Sequence, residues 1–411
     1  MNMYTPGLEF FRSIRTLTVF LLLVAFQGGV FLVEAKHRLI HPLVNSVCDS
    51  SNKTRNVSSL NYIFQDHTFG YQLYRIPTIV KTQSGKLLVF AEARKQRSNG
   101  DSGDIDLVMK SSTDNGKTWS EMTVIWDDGA NTCGNPVPIV DAKSGKIHLM
   151  MSWNHGNDKR IAMAKGTSND TRRVYYTCSE DEGGNWSEPT EVTGQVKSEK
   201  WDWYGTGPVH GIQLTTGKKK GRLIVPSYFT KKGDGKASYA HVIFSDDDGK
   251  TWHAGKPADL QGGGECTVAE LAGGDLMLNI RYRHAFVRYY AISDDGGETW
   301  STPEADHSLV DSKCQGSLLS FKSKGKFNLL FANPASEYRE KLTIKLNDNE
   351  DKSWNKSYLV YNGPSAYSDM VKLEGDFIAL VFEGGKRRWS EGIAFKVISL
   401  SEFSSSDKGA I

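Results

Sequence analysis

The chain has 411 residues, with 50 Lys+Arg against 48 Asp+Glu and a formal net charge of +2. That balance lacks the broad basic excess that drives phosphate-backbone binding, so no nucleic-acid partner is expected. With 38% hydrophobic residues and 5 cysteines, the chain is neither apolar-poor enough for disorder nor a dense disulfide scaffold. Glycine is the excess, at 40 residues, and aromatics stand at 11%. Together they point to many short strands joined by tight loops. The length suggests two or three domains, but one large closed β architecture also accommodates it.

At the N-terminus, Arg12 and Arg15 precede an apolar run from Leu17 to Phe26, and Val30 to Val33 follow Gln27-Gly28-Gly29. Residues 1–35 therefore read as a signal peptide cut after Gly29 or Ala35. If retained, Leu17 to Val33 is a signal anchor at the short limit for a membrane helix. Only then is a membrane association expected. Five sequons, at Asn52, Asn56, Asn169, Asn185 and Asn355, agree with passage through the secretory pathway to a secreted or lysosomal address. Residues 36–69 read as a polar leader. The cysteines are Cys48, Cys133, Cys178, Cys266 and Cys314, an odd number that leaves at least one thiol without an intramolecular partner. No CxxC or His-rich spacing appears, so neither a metal site nor a cofactor is expected.

From residue 70 to 402 the chain repeats itself. Ser112 to Trp119 reads SxDxGxTW, and the pattern returns at Ser179 to Trp186, Ser245 to Trp252 and Ser293 to Trp300. A worn fifth copy spans Asn347 to Trp354. In each box an Asp or Ser side chain closes the turn onto nearby backbone N–H groups. The shared Gly supplies the positive φ of a tight hairpin, and the Trp anchors the turn between neighbouring sheets. Asp114, Asp181, Asp247 and Asp295 are thus scaffold, not catalytic acids. Apolar runs of strand type precede three boxes, at Ile105 to Lys110, Val174 to Cys178 and Tyr239 to Phe244. Six more strands lie between the boxes: Lys86 to Ala91, Lys146 to Met151, Arg222 to Val225, Asp275 to Asn279, Phe327 to Phe331 and Phe377 to Phe382. The copy spacing suits one propeller blade per box, so the expected fold is all-β: a six-bladed β-propeller with four-stranded antiparallel blades. No long amphipathic helix is expected. Residues 403–411 read as a flexible Ser-rich tail.

The boxes together with Tyr74-Arg75-Ile76-Pro77 resemble the exo-α-sialidase (neuraminidase) family of the bacterial and animal type, over about residues 70 to 400. The resemblance implies a terminal sialic acid as substrate, on a glycoprotein, ganglioside or oligosaccharide. It also implies three arginines converging on the sugar carboxylate, and Arg75, Arg281 and Arg339 match them. Arginine suits the task because its planar fork pairs with a carboxylate in two parallel hydrogen bonds. Glu383 resembles the glutamate that orients the first arginine. Tyr367 matches the nucleophile and Glu265 its base, with Glu270 as the rival. Sialidases depart in this way from the two-carboxylate pattern of other glycosidases. A neutral phenol avoids the repulsion that a carboxylate nucleophile would meet from the substrate's own carboxylate. Asp101 matches the acid/base, with Asp104 and Asp106 as competitors. Glu92 and Arg94 resemble contacts to the 4-hydroxyl, Asn135 lies where members line the N-acetyl pocket, and Tyr228 where some contact the glycerol tail. Trp153, Trp201 and Trp203 are candidates for an aromatic rim.

The implied activity is hydrolysis of terminal α-sialosides with retention, through a tyrosyl-sialosyl intermediate. The same residues would serve a trans-sialidase or an enzyme forming an anhydro sugar. A non-catalytic sialic-acid-binding propeller would have lost the arginines or the nucleophile.

Overall fold

The computed structural model describes residues 60–98, 100–234, 237–348 and 353–405. The apolar segment Leu17 to Val33, Cys48, the sequons Asn52 and Asn56, positions 349–352 of the worn box and the end of the tail lie outside them. Among the described residues the chain is all-β, and the two α-helices are short, at Arg160–Ala164 and Thr193–Val196. No described helix is long and apolar enough to cross a membrane.

The strands pair antiparallel with their chain neighbours in successive ladders. The first ladder joins Leu73–Lys81, Leu87–Arg94, Ile105–Ser112 and Thr123–Trp126. The second runs from Thr132–Val140 through Ile147–Asn154 and Arg173–Ser179 to Thr190–Glu191. The third pairs Trp201–Thr206, Leu223–Lys231, Ser238–Ser245 and His253–Ala254. Gly263–Glu270, Leu276–Tyr282, Val287–Ser293 and Glu304–Val310 make the fourth. The long strand Lys356–Lys372 serves two ladders. Its first half completes Ser317–Ser323, Lys326–Pro334 and Glu340–Asn347, and its second half opens Phe377–Gly384 and Gly392–Ser399.

The last ladder is completed from the other end of the chain. Tyr62–Gln65 pairs with the strand Gly392–Ser399. The leader read as 36–69 is therefore shorter: residues 62–65 carry no repeat signature, yet Ile63 and Phe64 are buried against the first and last sheets. The tail also starts later than residue 403, because Phe403 is buried and Ser404–Ser405 pairs with Lys356 and Ser357.

Side chains alternate across each strand, so a strand buried on both faces reads as a continuous apolar run. Leu87, Val89 and Ala91 face a cluster shared with Val381 and Phe395 of the last sheet. Leu88 and Phe90 face the opposite way, against Leu149 and Met151 of the second. The same alternation builds an apolar cluster in each gap around the ring, the last sheet closing on the first. This closure makes the fold a propeller.

The boxes lie between the third and fourth strands and lock the gaps. In the first, Gly116 N and Thr118 N donate to Ser112 Oγ and Asp114 Oδ1 at 2.9 Å each, and Thr118 Oγ1 donates to Asp114 Oδ2 at 2.6 Å. The other three repeat these bonds, with Asn185 Nδ2 standing in for the Thr hydroxyl in the second. Each turn leans on the preceding sheet: Trp119 meets Phe395 edge-on at 5.2 Å, Trp186 meets Phe90 at 5.8 Å, and Trp252 meets Tyr176 at 5.6 Å. Trp354 of the worn copy keeps this habit by donating to Asp306 Oδ2 at 2.8 Å.

Candidate active site

Antiparallel meandering puts the start of each first strand and the end of each second strand on one rim, opposite the boxes. Nearly all the candidate residues fall on that rim. Arg75, Asn135, Glu265 and Tyr367 lie near the beginnings of first strands. Arg94, Tyr228, Arg281 and Glu383 lie at or near the ends of second strands. Asp101 and Arg339 occupy the loops that follow second strands.

The first strands are bulged where they reach the rim, between Arg75 and Thr78, Gly134 and Val137, Gly263 and Cys266, and Ser365 and Ser368. A bulge re-aims a side chain that regular pleating would send into a neighbouring sheet. Ile76 and Asn135 sit at φ 59° and 51°, and each precedes a proline, which has no N–H to lose from the ladder. For a β-branched residue such as Ile76 this conformation is strained. It is held by Glu383 Oε1, which accepts from Ile76 N at 2.9 Å.

The rim surrounds a cavity of about 240 Å³. Its wall includes Arg75, Arg281, Arg339, Asp101, Glu265, Tyr367 and Tyr228. Arg75, 3% exposed, is gripped by the fully buried Glu383: Nε donates to Oε1 at 3.0 Å and Nη2 to Oε2 at 3.2 Å. The Tyr367 hydroxyl donates to Glu265 Oε1, and Arg281 Nη1 donates to Glu265 Oε2. Arg281 Nη1 also lies 3.3 Å from the Tyr367 oxygen. The Arg339 guanidinium stands 5.5 Å from the centre of the Tyr367 ring. Burial, reinforced by the Glu265 charge, pushes the Tyr367 phenol well above its ordinary pKa, and the three arginines oppose that shift. The phenol is therefore protonated at neutral pH, with its hydroxyl bonded to Glu265.

Among the three acid/base candidates, Asp101 alone lines the cavity. Its side chain is 44% exposed and lies 3.7 Å from Arg94. Burial would raise its pKa, but Arg94, Arg172, Arg75 and Arg160 hold the carboxyl below its usual range. Asp104 and Asp106 pair instead with Lys95, and Asp106 accepts from Tyr71 OH. The rival base Glu270 points to the box-side rim, where Thr215 and Thr216 bind both its oxygens.

Three candidates stand behind the wall. Glu92 and Arg94 are 1% exposed and bonded to each other, with Arg94 Nε to Glu92 Oε2 at 3.1 Å. Asn135 N donates to Glu92 Oε1 at 2.9 Å. The Asn135 carboxamide is engaged with Thr206 O and Arg172 Nη2. Tyr228 does line the cavity, with Trp203 Nε1 donating to its hydroxyl at 3.3 Å. None of the three rim tryptophans does: Trp153 donates to Asp128, Trp201 stacks on Phe229 at 3.7 Å, and Trp203 is buried beneath Arg172.

The aromatic wall is Trp389, with the Arg75 and Arg339 guanidiniums 4.6 and 4.7 Å from its ring. Trp389 follows three basic residues in an irregular loop, where nothing local marks it. Arg160, Arg172 and Arg283 were equally silent in the sequence. So was the buried support of Tyr367. Gln315 brackets the Ser368 peptide with two 3.0 Å bonds. Asp369 accepts from Ile79 N and His210 N, both at 3.0 Å.

The chain matches the BNR repeat-like domain family over residues 85–380. It is 30% identical to a sialidase of Bacteroides fragilis over 331 residues, 75% of this chain and 60% of that protein. It is 31% identical to an exo-alpha-sialidase of Arthroderma benhamiae over 301 residues, 69% of each. Among solved structures, the Hadza microbial sialidase Hz136 superposes with a TM-score of 0.73 at 30% identity, over 81% of this chain and 66% of that one. The chain thus spans from three-fifths to about two-thirds of these relatives' lengths. The repeated boxes, the ring of sheets and these matches place the chain in the exo-α-sialidase family.

Proposed function

We propose that the protein is a retaining exo-α-sialidase, a glycoside hydrolase that removes terminal α-linked sialic acid from glycoproteins, glycolipids or oligosaccharides. The observation that carries this reading is the Tyr367 hydroxyl bonded to Glu265 in a cavity walled by Arg75, Arg281 and Arg339. The three guanidiniums bind the sugar carboxylate and fix the anomeric carbon over Tyr367. Tyr367 Oη attacks that carbon while Glu265 takes its proton, and Asp101 protonates the departing glycosidic oxygen. Asp101 then deprotonates water, which displaces Tyr367 as Glu265 returns the proton. The bound carboxylate offsets the arginine charges, and this moves the Asp101 carboxyl back up toward proton donation. Glu383 acts through Arg75, which it orients. Glu92 holds Arg94, which touches Asp101, and the main chain at Asn135.

Proton NMR of 3'-sialyllactose cleavage tests the reading. Free sialic acid should appear first as the α-anomer, and Tyr367→Phe should lower kcat at least about a thousandfold. First appearance of the β-anomer contradicts retention, and an anhydro sugar as product assigns intramolecular transfer. A secretory route is supported by the sequons Asn169 and Asn185, both exposed. Enzymatic removal of N-glycans should reduce the mass of the secreted protein, and an unchanged mass would reject glycosylation.

A further inference from the structure

A second cavity, of about 530 Å³, opens on the rim that carries the active site. That volume suits a small ligand. Its wall comes from the loop after the second strand of the second ladder, the helix Thr193–Val196 and the start of the strand Trp201–Thr206. Met163 belongs to this wall and packs against Trp203 and Tyr228, so one layer of side chains separates the two cavities. The strand Trp201–Thr206 is bulged between Trp201 and Tyr204, as other first strands are at this rim, but here the bulge serves the second cavity. Asp202 stands on its wall, 4% exposed, and among the described residues its Oδ2 has no hydrogen-bond partner. A buried carboxylate oxygen in that state is costly until a donor reaches it.

What that oxygen lacks is a donor rather than a countercharge. Lys197 Nζ is held beside Asp202, donating to the main-chain oxygens of Asp202 and Arg172 at 2.7 Å each. Burial lowers the Lys197 pKa to about 7 and the Asp202 charge opposes this, so below that pH an ammonium balances the carboxylate. Elsewhere on the wall, Asp170 is bound by Arg173 at 2.7 Å, and Glu199 is accompanied by Lys232. A nearly neutral wall that also offers Ser168, Ser198 and the half-buried Trp201 suits an uncharged, polyhydroxylated ligand. We propose that this cavity is an accessory saccharide site, in which Asp202 accepts from a hydroxyl of a neutral sugar unit. The site goes beyond the sialidase reading and does not depend on it. The sugar comes from one of two sources: the neutral antenna of a glycan on another molecule, or the glycan that the sequon at Asn169 would carry. Ser168 and Asp170, on either side of that asparagine, both line the cavity.

Saturation-transfer NMR on the full chain at pH 6 tests the site, with N-acetyllactosamine as the antenna probe and chitobiose as the N-glycan core probe. The chain made without N-glycans should bind at least one of them saturably. Asp202→Asn keeps the Oδ1 acceptor for Trp203 N and should weaken that binding about tenfold. Gly194→Trp should abolish it, because a Cβ at Gly194 meets nothing within 4 Å and the indole then fills the cavity. The glycosylated chain separates the sources: lost binding assigns the cavity to the Asn169 glycan, and retained binding to a glycan on another molecule. No saturable binding by the chain made without N-glycans overturns the site, as does binding that Asp202→Asn and Gly194→Trp leave unchanged.

Discussion

The two rims of the propeller use the same polar residue types to opposite ends. On the box rim, Asp114, Asp181, Asp247 and Asp295 turn their oxygens onto their own loops, and neighbouring backbone and hydroxyl donors use them up. On the cavity rim, Asp101 faces Arg94 and Arg75 of its own sheet together with Arg172 and Arg160 from the next, and Glu265 faces Arg281 of its own sheet together with Tyr367 of the last. The first arrangement is local and repeats, so it stabilises without reacting. The second is assembled across the ring, occurs once, and leaves cationic surface for a ligand. Residue type therefore says little about role here. What decides it is whether the partners come from the same turn or from separate strands and sheets.

The comparison breaks most severely at Glu383. Glu383→Ala leaves Arg75 buried without its carboxylate, and removing one partner of a buried pair costs about 3–5 kcal/mol. Denaturant unfolding should show a loss of that size. A loss no larger than an exposed ion pair gives would mean that Arg75 finds another partner. On the box rim the sensitive position is Gly116, at φ 82°, where an added Cβ would stand 2.1 Å from Phe395 Cε1. Gly116→Ala should cost roughly 2–3 kcal/mol through the left-handed backbone and the clash. Gly129→Ala, at φ 61° with nothing within 4 Å, should cost only about 1 kcal/mol. Equal losses would show that the box turn does not wedge against the preceding sheet. Smaller again is Ser179→Ala, which removes the acceptor of Gly183 N at 2.8 Å and should cost about 1 kcal/mol while leaving activity intact.

The smallest effect expected is the dependence of melting temperature on pH. Hydrogen bonds within the boxes depress their carboxyls, with Asp181 held at about 2. Asp247 reaches about 2 through its Thr251 and Ser245 bonds, although burial opposes them. A depressed folded-state pKa stabilises above the unfolded value, and that stability is lost as pH falls from about 4 to about 2. Asp66 does the reverse. Burial raises it to about 6, so the folded state binds more protons and stability declines as pH rises from about 4 to about 6. Asp66→Asn should flatten that upper slope and leave the acid limb in place. A slope that survives the substitution belongs to another group.

The same contrast governs how much could be read beforehand. The boxes and the apolar runs between them are legible because each repeats and each obeys a short-range rule: a turn bond, a positive φ, a period of two. The three arginines, Tyr367 and Glu265 were placed by resemblance alone, since nothing in their local sequence separates Arg281 from any other strand-end arginine. Trp389, Arg160 and Arg283 escaped because their roles arise only when loops from different sheets meet. Tyr62–Gln65 escaped for a related reason. Its partner strand lies more than 300 residues away, and no turn announces the pairing. Asn135 shows the limit of resemblance, since the position matches but its carboxamide is spent on Thr206 and Arg172 behind the wall.

The central claim is that Tyr367 becomes covalently linked to the sugar. Incubation with a 2,3-difluorinated sialosyl fluoride, followed by proteolysis and mass spectrometry, tests it most directly. The account predicts one adduct, on the peptide containing Tyr367, with its formation slowed strongly by Glu265→Ala. An adduct on any other residue, or none while the enzyme still turns over ordinary sialosides, would contradict it.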